Sequence, residues 1–203
     1  MAQPDLICLG EPLVEFNQLP DGGLYQAGFG GDTSNTAIAA ARQGAKAGYL
    51  TILGQDRFGD DLEALWDREG VDGSQVKRDA GAQTGIYFVT HGDAGHEFHY
   101  YRAGSAASRM TPQFLPRDAI AAAKILHVSA ISQAISENAC ETVLAAMDIA
   151  REAGVRVCFD TNLRLKLWPL DRAREAIDAA ITRADILRPA LDDAQTLTGL
   201  EDA

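Results

Sequence analysis

Short, uninterrupted apolar runs alternate with helix-periodic stretches along most of this chain, and that alternation restricts its fold more than any other feature. The apolar runs occupy residues 6–9, 49–53, 125–129, 155–159 and 185–187; the periodic stretches fall near 33–43, 57–69, 137–153 and 171–183. A strand apolar at successive positions is buried on both faces, which calls for helices on both sides of a mostly parallel sheet with right-handed crossovers. The expected class is α/β, as one unit over 1–203. Two regions break the rhythm. Residues 13–17 with 24–27, and 85–90 with 97–102, alternate as strands joined by Gly/Asp turns such as Gly92-Asp93-Ala94-Gly95. They predict a small separate β-sheet over about 13–28 and 84–102, or else a plain antiparallel extension of the main sheet.

The 46% hydrophobic content of 203 residues is enough for a sizeable core. A net charge of −11 argues against nucleic acid, which demands clustered Lys and Arg. No apolar run approaches membrane-spanning length, and Met1-Ala2-Gln3-Pro4-Asp5 lacks the basic flank and apolar core of a signal peptide, so a cytoplasmic location and no membrane partner are expected. Cys8, Cys140 and Cys158 stand far apart in apolar contexts, and with His91, His96, His99 and His127 show no metal-ligand spacing. The cysteines read as reduced and buried, the histidines as surface or core residues.

Gly30-Gly31-Asp32-Thr33-Ser34-Asn35-Thr36-Ala37 places glycines, a carboxylate, hydroxyls and an amide where a helix should begin, with Asp32 or Thr33 as candidate cap. Read alone, it is either a polar ligand site or an ordinary capped helix. Gly44 and Gly54 then close the helix and the following strand, and Gly54-Gln55-Asp56-Arg57-Phe58-Gly59 turns into the next helix. Over some thirty residues this order resembles the N-terminal signature of the ribokinase-like (PfkB) carbohydrate kinases. Gly28-Phe29-Gly30-Gly31-Asp32-Thr33-Ser34-Asn35-Thr36 is most similar to the branch acting on the sugar acid 2-keto-3-deoxygluconate.

The resemblance implies a ribokinase-like fold and makes the small sheet a lid that covers the sugar and pairs subunits. It also implies MgATP as co-substrate and substrate contacts from Gly31, Asp32, Asn35, Tyr87, Tyr100 and Arg102, with Tyr101 a weaker member. In strand geometry Tyr100 and Arg102 share a face and Tyr101 takes the other; an Arg can grip a carboxylate with two parallel hydrogen bonds. Tyrosines and a surface Arg with no ligand read equally well from composition alone. After the strand at 155–159, Asp160-Thr161-Asn162-Leu163-Arg164 leaves the carboxyl edge where ligands gather in open α/β sheets. By resemblance Asn162 and Arg164 are candidates for phosphate contact, Arg164 also reaching the sugar acid. The alternation of Leu163, Leu165 and Leu167 would put Lys166 beside Arg164.

The chain also departs from the family pattern. Asp-Thr-x-Gly-Ala-Gly-Asp, whose final Asp is the family's catalytic base, is absent; Asp79-Ala80-Gly81-Ala82-Gln83-Thr84-Gly85 lacks that Asp and reads as a turn into the lid. In Pro189-Ala190-Leu191-Asp192-Asp193, Ala190 and Asp193 stand where the family has Asn and Glu, leaving Asp193 a weak candidate for a metal-bound water. The residues from 197 to 203 read as a helix end and linker. The expectation is an N-terminal, sugar-binding part of a kinase, inactive by itself. The alternatives are another sugar kinase of the family, for fructose, ribose or a nucleoside, and a non-catalytic sugar-acid-binding protein. No Gly-x-Gly-x-x-Gly follows the first strand, which disfavours a dinucleotide enzyme.

Overall fold

The computed structural model describes residues 3–20, 22–92 and 95–201. Strand β1 (Leu6–Leu9) leads into β2 (Leu13–Gln18), β3 (Tyr25–Gly30) and helix α1 (Asp32–Arg42). Next come β4 (Ala47–Leu50), β5 (Ile52–Gly54), α2 (Arg57–Glu69), β6 (Lys77–Asp79), β7 (Ile86–Gly92) and β8 (Gly95–Tyr101). The second half runs α3 (Arg117–Ala121), β9 (Ile125–Ser129), α4 (Ala130–Ala134), α5 (Glu137–Glu152), β10 (Arg156–Asp160), α6 (Leu170–Ile181), β11 (Ile186–Arg188) and α7 (Leu191–Thr198).

A five-stranded parallel sheet, ordered β11-β10-β9-β1-β4, forms the centre. Alternation along each strand divides its side chains between two cores. Ile7, Leu9, Leu126, Val128, Val157 and Phe159 face α5 and α6, whose Val143, Met147 and Ile177 are buried against them. Cys8 and Tyr49 point the other way, onto Ala37 of α1 and Leu62 and Trp66 of α2. The parallel sheet with a core on each face matches the sequence expectation.

The lid is a separate four-stranded sheet, ordered β3-β2-β7-β8. Its outer pairs are antiparallel, while the central pair, β2 with β7, is parallel. The extension alternative therefore fails. At the tip of the β7–β8 hairpin, Asp93 and Ala94 lie outside the described residues, as do Asp202 and Ala203 at the chain end.

Three local expectations are corrected. The apolar run at 49–53 is not one strand: β4 and β5 separate at Thr51, and β5 leaves the main sheet to pair with β6. Neither Asp32 nor Thr33 caps α1; the N-cap is Gly31, with φ 109° and no side-chain cap, because the chain must pass close over the Glu11 carbonyl. Residues 161–168 form an irregular turn rather than an alternating segment, and Leu165 is 50% exposed. Cys8 and Cys140 are buried and free as expected, whereas Cys158 is only half-buried.

Asp56 shows how a helix cap braces the lid. Its carboxylate accepts from Gly59 N–H at 2.8 Å, capping α2, and from the Thr84 N–H at 2.7 Å and hydroxyl at 2.9 Å, where the chain enters the lid. Burial would raise its pKa, but the bonds from Thr84 and Gly59 outweigh it and hold the carboxyl below 3.8. Asp56→Ala is expected to lower stability by about 2–4 kcal/mol in urea unfolding, from the lost cap and the orphaned Thr84 donors. Because the folded pKa lies below the unfolded one, Asp56 stabilises above the unfolded pKa and the contribution fades as pH falls through the folded value. The variant should therefore lose less stability on acidification than the parent does.

Candidate functional site

The carboxyl ends of β1, β9 and β10 and the start of α1 converge beneath the lid. Gly31 turns the chain there: a Cβ would stand 2.7 Å from the Glu11 carbonyl oxygen and 2.9 Å from Pro12 Cα, so only glycine fits. Asp32 then opens α1, and its Oδ2 accepts from Asn162 Nδ2 at 3.0 Å across 130 residues of sequence. Asn162 sits at φ 24°, the sole non-glycine residue with positive φ among those described. Buried Asp193 fixes this turn, its Oδ2 accepting from Thr161 Oγ at 2.9 Å and Leu163 N–H at 3.0 Å.

The resulting geometry brings Gly31, Asp32 and Asn162 together. Arg164, two residues on, is exposed and among the described residues donates only to the Leu163 carbonyl, at 2.8 Å; Lys166 is exposed as well. Asn35 is exposed one turn along α1, bordering a cavity of about 510 Å³ with Phe29 and Ile38. Among the described residues no group of three His, Cys, Asp or Glu side chains could hold a metal ion. Asp193 spends one carboxylate oxygen, Oδ2, on the turn.

From above, the lid contributes Tyr87, Tyr100 and Arg102. Tyr87 and Tyr100 are cross-strand partners, stacked with centroids 5.5 Å apart, and the Arg102 guanidinium lies 5.8 Å from the Tyr100 ring. Tyr101 takes the opposite face, edge-on to Phe88, as the strand period requires. Arg102 itself lies just beyond the end of β8.

Two acids missed in the sequence reading hold these groups. Glu15 on β2 accepts the Tyr87 hydroxyl, and burial followed by the Glu15 contact pushes the phenol pKa up. Glu11, 2% exposed, accepts from Arg102 Nε at 2.6 Å and from the Ser105 hydroxyl. Burial raises the Glu11 carboxyl despite Arg102, with the nearby Asp32 charge adding to the rise. The available signal was two acids four residues apart, Glu11 just before the first lid strand and Glu15 within it. Below, His127 is buried in the sheet between Cys8 and Cys158, and burial lowers its pKa against the pull of Asp32 and Asp160.

Known proteins resemble this chain in sequence and fold. Among curated relatives, 2-dehydro-3-deoxygluconokinase of Thermoproteus tenax is 38% identical over 211 residues, covering 99% of this chain and 64% of the relative. Fructokinase-2 of Solanum lycopersicum is 36% identical over 202 residues, covering 96% of this chain and 61% of the relative. The crystal structure of a PfkB protein from Polaromonas sp. JS666 superposes with a TM-score of 0.92 at 34% identity, covering 97% of this chain and 69% of that one. The chain thus spans under two thirds of the length of both curated relatives. The pfkB family carbohydrate kinase model matches residues 4–203, and with the parallel sheet, the separate lid and the Gly31–Asp32 turn between them, this chain belongs to that family.

Proposed function

We propose that this chain is the sugar-binding part of an ATP-dependent sugar-acid kinase whose substrate is 2-keto-3-deoxygluconate. The observation that supports the reading is the Arg102–Glu11 pair, which ties the Tyr87, Tyr100 and Arg102 cluster to the backbone crossing at Gly31, next to the Asp32–Asn162 pair. A polyhydroxylated acid offers hydroxyls and a keto oxygen to Asp32, Asn35 and the two phenols, and a carboxylate to Arg102 or Arg164. Tyr101, on the other face of β8 against Phe88, is left out of the sugar site. The reaction transfers the γ-phosphoryl of MgATP to the terminal hydroxyl; Asn162 and Arg164 stand where the transferring group would pass, and the lid excludes water. The Asp-Thr-x-Gly-Ala-Gly-Asp motif, which supplies the base in the family, does not occur in these 203 residues. The setting is the cytoplasm, and lid pairing between two copies is favoured by exposed Phe98, Tyr100 and Tyr101 on β8.

A second reading, a neutral ketose such as fructose, is supported by the Glu11–Arg102 pair, which leaves the lid without a free positive charge. Calorimetric titration with 2-keto-3-deoxygluconate and with fructose, without nucleotide, separates the two. Saturable heat from the acid and a response from fructose weaker by at least about tenfold, some 1.4 kcal/mol, is expected. Preference for fructose would replace the first reading with the second.

A further inference from the structure

Arg102 is the lid's cation, yet its charge is already answered. Its side chain is only 11% exposed and its partner Glu11 1%, so the pair is removed from bulk solvent, where screening is weak. Nε and Nη2 both face Glu11 Oε2, and the other carboxylate oxygen is held by Ser105. Glu11 thus takes one hydrogen bond, from Nε, and lies against Nη2, which is buried without a hydrogen-bond partner of its own; Nη1 is the group not turned to the acid. The surrounding charges are Asp32, close enough to raise the Glu11 carboxyl, and Glu15, bonded to Tyr87. Arg164 lies exposed at the sheet edge.

We propose that Glu11 is a specificity-determining and positioning residue: it cancels the charge of Arg102 and aims its free edge, so the balance between acidic and neutral sugars is set by the pair rather than by Arg102 alone. This rests on the sugar-kinase reading but not on which sugar is preferred. A lid with an unanswered guanidinium would favour a carboxylate; a lid with a compensated one presents a directional hydrogen-bond donor with little net field, which a keto or hydroxyl oxygen can also use. Ser105 fixes the carboxylate so that this donor direction is reproducible. Glu11 acts through Arg102 and is not assigned contact with the sugar.

The test compares Glu11→Gln, which keeps shape and removes the negative charge, with Arg102→Gln, which removes the positive charge and shortens the side chain. For each, the ratio of dissociation constants for fructose and 2-keto-3-deoxygluconate is measured by calorimetry on the 203-residue chain. Glu11→Gln should move the ratio toward the acid by at least about tenfold, and Arg102→Gln should move it toward fructose. A merely structural tie would weaken both sugars together, leaving the ratio fixed, and that result overturns the proposal. So does loss of the cooperative melt in both variants; if only one unfolds, the other carries the test. Should the parent chain bind neither sugar, the reading of this chain as a sugar-binding part fails separately. Acetate then reads the charge directly through the Arg102 Nε–H resonance. Glu11→Gln should respond saturably and the parent should not, while equal responses overturn the inference.

Discussion

Gly31→Ala is expected to destabilise the protein by about 3–5 kcal/mol and to abolish sugar binding. Two costs add. At φ 109° an L side chain is strained, worth about 1–3 kcal/mol, and the new methyl would meet backbone atoms of Glu11 and Pro12, an overpacking cost of about 1–3 kcal/mol more. Those neighbours are main chain at the crossing between β1 and the lid, so no rotamer change relieves the contact. Gly44 is the control: at φ 88° with open space around it, Gly44→Ala should cost only about 1–2 kcal/mol. Urea midpoints for both variants decide the matter, and equal losses would show that close approach at Gly31 contributes nothing.

Trp66→Ala should cost about 3–5 kcal/mol. Trp66 is 1% exposed, its ring centroid 4.7 Å from that of Tyr49, and its Nε1 donates to Ser34 Oγ at 2.9 Å. It joins α2, β4 and α1, the helix that begins with Asp32. Trp66→Phe should recover most of the packing but orphan the Ser34 hydroxyl, costing about 1–3 kcal/mol. Thermal melts of the two variants would rank them; a loss below about 1 kcal/mol for the alanine variant would remove Trp66 as the tie between these elements.

The architecture was legible because burial on two faces leaves a plain trace: the runs at 6–9 and 125–129 became β1 and β9 unchanged. The break at Thr51 left no such trace, since 49–53 is apolar enough for either a continuous or a divided strand and pairing with β6 decides it. The helix cap was misread for a related reason. Asp32 is a good capping residue by type, but the requirement at this position is backbone freedom, which Gly31 supplies. Tyr87, Tyr100 and Arg102 were singled out by the family resemblance, with the strand period giving only the shared face of Tyr100 and Arg102; Glu11 was not singled out. Its role depends on a partner 91 residues away, and local spacing carries no information about such pairs.

The parallel pairing of β2 with β7 has a consequence for how the molecule assembles. Strands running the same way cannot close through a tight turn, and Val14 meets Ile86 only after α1, β4, β5, α2 and β6 have intervened. Each lid hairpin is local, but the lid as a sheet is not; it zips only once the unit between its halves has folded, because loop closure over that span must precede the reward of pairing. The Glu15–Tyr87 contact bridges that same parallel pair, so it closes a loop of 72 residues and carries the entropic cost of that span.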